Sequence, residues 1–138
     1  MPSEVHPIQP EGLAQPAGAY SHACRVEANK FLFVAGQVAL DADGNVVGDG
    51  DFKEQAKQVY ANIRQALAAE GLEMRHIAKF TTYLVRGKDI PAFYEVREEL
   101  YPELFPGGKY PANTLLVIGR LVREEFLIEI EAVAAYAD

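Results

Sequence analysis

The chain has 138 residues, 49% of them hydrophobic and 24% charged, the composition of one ordinary globular domain and not of a disordered segment. A single cysteine, Cys24, excludes an internal disulfide and fits a reducing compartment. The 13 Lys and Arg lie scattered among 20 Asp and Glu, for a net charge of −7. That balance argues against a nucleic-acid partner, because such binders gather a basic face for phosphate contacts.

No apolar run approaches the roughly 18 residues that span a bilayer, and the start Met1-Pro-Ser-Glu-Val-His-Pro7 has no signal-peptide character. The expectation is a cytoplasmic protein with no membrane partner. Residues 1–18 carry Pro2, Pro7, Pro10 and Pro16 without periodicity, which predicts an extended arm ahead of a single domain over residues 19–138.

Ala19 to Ala28 mixes polar and apolar residues up to a turn at Asn29-Lys30, and Phe31 to Leu40 reads as a buried strand. The two segments together predict a hairpin. Gly36 inside that strand predicts a bulge or a close approach to the backbone. Asp41-Ala-Asp-Gly-Asn45 imitates the start of a calcium loop, but Val46 and Phe52 stand where its glycine and glutamate belong, so it reads as a turn before a short strand at Val46-Val47. Asp51 predicts the cap of a helix whose apolar stripe runs Phe52, Ala56, Val59, Tyr60, Ile63, Leu67, with Gly71 as its stop.

A strand follows over His76 to Val85. Asp89 predicts the cap of a second helix, with Pro91 in its first turn, Phe93, Val96 and Leu100 on its stripe and Pro102 at its end. Two more strands are predicted, Tyr110 to Gly119 and Phe126 to Ala134. This order predicts an α+β sandwich, a mixed sheet with both helices on one face. The other face has no cover within the chain, and its alternate residues are too apolar to meet water, so a homo-oligomer is expected.

His6, His22 and His76 lack metal-ligand spacing, and Gly107-Gly108 lacks the Lys-Ser/Thr of a phosphate loop, so no metal is expected. His22 and Cys24 share a strand face, though two ordinary strand residues explain the pair as well. The sharper candidate is the last strand, where Glu129 and Glu131 share a face with the apolar Leu127 and Val133, opposite Asn113 at the polar start of a neighbouring strand. In an apolar interface such a carboxylate has a raised pKa and serves as a general acid or base. On an edge strand the same pair is simply solvated.

Gly18-Ala-Tyr-Ser-His22, Val34-Ala-Gly-Gln37, Glu54-Gln-Ala-x-Gln-x-x-x-Asn62, Thr81-Thr-Tyr-Leu84, Tyr110-Pro-Ala112 and Ile128-Glu-Ile-Glu-Ala-Val-Ala134 fall in order along the chain. Together they resemble the RidA/YjgF family of reactive enamine and imine deaminases over nearly all of residues 16–136. The resemblance implies a chorismate-mutase-like sandwich assembled as a homotrimer, with small-molecule sites between subunits and no metal or organic cofactor. It implies that Glu129 orients the attacking water, that Tyr20 borders the pocket and that the Gly36 backbone approaches the ligand.

The sequence departs from that pattern where the substrate carboxylate is held. The family arginine is replaced by Asn113, the small hydroxyl residue before Gly-Gln by Ala35, and the cysteine two places beyond the arginine by Leu115. A charge-assisted bidentate contact contributes roughly 1.5–3 kcal/mol against about 1 kcal/mol for a neutral amide. Arg97, one turn beyond Phe93 on the second helix, is the candidate replacement, against the alternative of a stem over apolar surface with its head in water. The readings are therefore a hydrolase of an imine, enamine or amino-unsaturated acid with altered specificity, a non-enzymatic trimer that binds a small metabolite, and, more weakly, a ribonuclease.

Overall fold

The computed structural model describes residues 4–138. In chain order these are β1 (Glu4–Ile8), β2 (Ala23–Glu27), β3 (Lys30–Gln37), α1 (Phe52–Ala68), β4 (Ile77–Leu84), α2 (Ile90–Leu104), β5 (Ala112–Val117) and β6 (Ile128–Tyr136), with single 3-10 turns at Met74–His76 and Gly87–Asp89. The main sheet has the order β3-β6-β4-β5, antiparallel except for the parallel pair β4 and β5. The α+β sandwich with a mixed sheet and both helices on one face is as the sequence predicts.

Alternation decides which side of each strand is inside. Ile128, Ile130, Ala132 and Ala134 of β6 are buried, as are Phe80, Thr82 and Leu84 of β4. They pack with Val59, Ile63 and Leu67 of α1 and Phe93 and Val96 of α2 in one core. The far sides of the helices carry exposed ion pairs, Lys53 with Glu95 and Lys57 with Glu99 among them. Such pairs contribute little each and mark the solvent side. The opposite face of the sheet stays open: Phe33 is 76% exposed, Phe31 52% and Leu116 41%.

Several local expectations are corrected. The hairpin of residues 19–40 does not form. β2 pairs with β1 in a separate two-stranded ladder, and β3 takes β6 as its partner. The alternation of β3 explains the change: Phe31, Phe33 and Ala35 point to the open face and are exposed, so the segment is half-buried and ends at Gln37. Val46 makes only an isolated bridge to Leu40.

Asp51 caps α1 as expected, accepting a hydrogen bond from the Glu54 N–H. Asp89 does not cap α2 with its side chain. Its carboxylate is held instead by Arg86 Nε and Nη2 at 2.7 and 3.1 Å. Pro102 lies inside α2, which continues to Leu104, at the cost of one backbone hydrogen bond.

Candidate functional site

Glu129, the second residue of β6, an interior strand of the sheet, projects onto the open face. Its neighbour in β4 is Tyr83, and Glu131 stands opposite Thr81. The Tyr83 hydroxyl donates to Glu131 Oε1 at 2.6 Å, so Glu131 is occupied by a structural hydrogen bond. Glu129 makes no hydrogen bond or ion pair among the described residues. Partial burial, and secondarily the Glu131 charge, raise its carboxyl above the ordinary glutamate value.

Gly36 explains where that carboxylate rests. A bulge interrupts the β3–β6 ladder between Val34 and Gln37. A Cβ added at Gly36 would lie 2.1 Å from Glu129 Oε2 and 2.6 Å from its carboxyl carbon. The close approach predicted from the glycine is thus made by Glu129 itself. Ala35, inside the same bulge, is exposed.

Asn113 and Leu115 are elsewhere. In β5 they stand opposite Phe80 and Thr82 on the helix side of the sheet, whereas Thr114 and Leu116 share the open side with Glu129. Thr82 Oγ1 donates to Asn113 Oδ1 at 2.8 Å. The expectation that Asn113 faces the Glu129 pair is therefore overturned. β5 is two strands from β6, and the two residues lie about three positions apart in register, or roughly 14 Å by strand spacing, with side chains on opposite faces. The period-two rule gave each strand its faces, but the strand order needed to relate them was not in the sequence.

Tyr20 and Arg97 come together beside α2. The Arg97 guanidinium carbon lies 4.6 Å from the Phe93 ring centre, 4.8 Å from Tyr94 and 6.0 Å from Tyr20. Its Nη1 donates to the Ala19 carbonyl at 3.4 Å, and its Nε, fully buried, has no partner. At 2% exposure its head is not in water, contrary to the alternative of a wet head over an apolar stem. A buried cation without a carboxylate is costly, and three aromatic faces offset only part of that. Gly18 is tied to the same contact, since a Cβ there would sit 2.9 Å from Arg97 Nη2.

The strap carrying Tyr20 is anchored at its far end. The Ser21 N–H donates to Pro111 O at 3.1 Å and the Ser21 hydroxyl to Tyr110 O at 2.6 Å. Sequence reasoning missed this role of Ser21, which the adjoining Tyr20 motif did not distinguish from its neighbours. Within one protomer, then, the candidate residues form two groups: Glu129, Gly36 and Ala35 on the open face, and Tyr20, Arg97, Asn113 and Leu115 toward the helices. His6, His22 and His76 have separate partners, in Glu27, Ala14 O and Glu73. Among the described residues no cluster of His, Cys, Asp and Glu could hold a metal ion, and no helix is long and apolar enough to cross a membrane.

Residues 12–136 match the family model described as Endoribonuclease L-PSP. A RutC family protein from Pyrococcus horikoshii is 39% identical over 124 residues, covering 90% of this chain and 92% of its own. The 3-aminoacrylate deaminase RutC of Acinetobacter baylyi is 32% identical over 134 residues, 97% and 98% of the two chains. The crystal structure of YyfB from Yersinia pestis, of the conserved Rid protein family, superposes with a TM-score of 0.85 at 31% identity, covering 96% of this chain and 98% of that one. With its mixed sheet, its two helices on one face and the match over residues 12–136, the chain belongs to the RidA/YjgF family, also described as endoribonuclease L-PSP.

Proposed function

We propose that the protein is a RidA-type deaminase that hydrolyses a reactive imine or enamine of a small acid at sites between copies of the chain. The observation that carries this reading is Glu129: an unpaired carboxylate with a raised pKa, on a sheet face whose exposed Phe31, Phe33 and Leu116 call for a second copy. Burial by that copy would place the carboxylate in a water-poor cleft, the setting in which a general base is effective. The name of the Acinetobacter baylyi relative, a 3-aminoacrylate deaminase, supports the reaction class.

In the proposed reaction an enamine first takes a proton on carbon to become the imine. Glu129 accepts a proton from a water as the water oxygen bonds to the imine carbon. The carbinolamine takes that proton on nitrogen, the C–N pair leaves with the nitrogen as ammonia, and the hydroxyl oxygen forms the C=O of the keto acid while its proton passes back to Glu129. Because Glu129 and Asn113 diverge on opposite faces, the carboxylate end of the substrate is held by a neighbouring copy, which fits a homotrimer with three shared sites. There Asn113 supplies a neutral contact with Leu115 beside it. Arg97 holds the Gly18–Tyr20 strap and keeps its unpaired Nε as the remaining cationic donor. Ala35 and Gly36 leave room beside Glu129.

The test is to generate 2-aminoacrylate or 2-iminobutanoate in situ with a pyridoxal-phosphate enzyme and follow decay with and without the protein. Acceleration is expected, with a loss of about 100-fold or more in Glu129→Gln, the usual range for a general base. Binding of the product keto acid without acceleration identifies the metabolite-binding reading instead. Calorimetry with 2-oxobutanoate should show weaker binding for Asn113→Ala and Arg97→Ala; unchanged binding in Arg97→Ala rules out the relocated cation.

A further inference from the structure

A cavity of about 380 Å³ opens where β1, the turn before β4 and the segment after α2 meet. Its apolar wall is Val5, Ile77, Phe105 and Pro106, of which Ile77 and Phe105 are buried in the core. Its polar lining is His6, Arg75 and Lys109, contributed by three separate segments, with no carboxylate. In a chain where 20 acids outnumber 13 bases, the polar side chains that reach this cavity are basic, while the carboxylates that pair with two of them, Glu73 and Glu27, stand outside its lining.

The cations are differently committed. Arg75 Nε donates to Glu73 Oε2 at 2.7 Å, which uses one edge of the guanidinium and leaves the Nη edge for another acceptor. His6 Nε2 lies 3.2 Å from Glu27 Oε2. Lys109 is exposed and has no ion pair among the described residues. A guanidinium edge and an ammonium that line one cavity, beside a wall containing the Phe105 ring, suit an amphipathic anion.

The cavity is separate from the Glu129 site. Ile77 begins β4, whereas the partner of Glu129 is Tyr83, six residues further along, or roughly 20 Å at strand rise. Glu129 is also on the open face, while Phe105 packs against the Phe80 ring in the core.

We propose that this cavity is a second ligand site, which takes a monocarboxylate with a planar apolar body. The carboxylate is held by Arg75 and Lys109, and the body lies against Phe105 and Ile77. The site does not depend on the deaminase reading.

The experiment uses the full chain and 2-naphthoate as probe, with binding followed by calorimetry and the contact mapped by amide NMR shifts. Saturable binding is expected, with shifts at Ile77, Phe105 and Lys109. Arg75→Gln/Lys109→Gln should weaken it more than tenfold, and neutral 2-naphthalenemethanol should bind more than tenfold more weakly than 2-naphthoate. Both substituted side chains lie at the surface, so the variant is expected to keep the wild-type amide spectrum elsewhere. Glu129→Gln should bind the probe as the wild type does. The proposal is overturned if no binding occurs at millimolar probe, if the double variant binds unchanged, or if the shifts centre on the Glu129 face.

Discussion

Glu129 and Arg97 are both ionisable groups without an opposite charge among the described residues, and each lies against a glycine that makes room for it. Gly36 leaves space for the carboxylate and Gly18 for the guanidinium, so Gly36, read from sequence as a backbone feature, acts through a side chain. The raised pKa of Glu129 has two pH consequences. As a base it works deprotonated, so the rate should fall as pH drops through a value above that of an ordinary glutamate. Between the ordinary and the raised value the folded chain holds a proton that the unfolded chain has lost, so stability falls as pH rises through that window. Glu131→Gln removes the like charge but not the burial, the larger cause. The acid limb of the pH–rate profile should therefore move toward lower pH without reaching the ordinary glutamate value. An unmoved limb would mean that Glu131 does not act on the titrating group.

At the scale of elements, the fold turns on one buried amide that periodicity alone reads as an ordinary helix residue. Gln55 in α1 is fully buried. Its Nε2 donates to Gly48 O at 3.1 Å and Glu125 O at 2.7 Å, and its Oε1 accepts from the Leu127 N–H at 2.9 Å. It thereby fixes the entry of β6, and so the placement of Glu129, to the first turn of α1. Gln55→Leu strands three backbone groups, at about 1–3 kcal/mol for each that finds no water. Urea unfolding should show a loss of at least about 2 kcal/mol. A loss under about 0.5 kcal/mol would mean that the clamp is dispensable. The apolar stripe of α1 and its Asp51 cap were legible because they are local. The partner of β2 was not, because β1 lies in the proline-marked arm without periodicity and only packing pairs it with β2.

For the whole molecule, the open sheet face leaves large apolar side chains uncovered in a lone chain. Phe31, Phe33 and Leu116 stand around Glu129 and Glu131 on it, and a monomer would hold these rings in water beside carboxylates. Association through this face would bury the rings and desolvate Glu129 further, so assembly and a still higher Glu129 pKa are expected together. Sedimentation should give a trimer for the wild type. Phe33→Glu, which adds a charge to the β3 edge of this face without touching the core, should shift it to monomer with the helical circular dichroism retained. A trimer unaffected by Phe33→Glu would place the interface elsewhere.

Local periodicity and capping marked both helices, the strands of the main sheet and the buried side of β6, whereas β1 was hidden in the proline-marked arm. The marked features follow from side-chain spacing along one segment. The six ordered motifs identified the family, and Glu129 with Gly36 stood out as residues unusual for their strands. Tertiary structure alone decided that β6 lies between β3 and β4, that Asn113 faces away from Glu129, and that the Arg97 head is buried among three rings. Strand order, register and the closure of the Gly18–Tyr20 strap are long-range choices, set by which surfaces pack together and not by the pattern within any one segment.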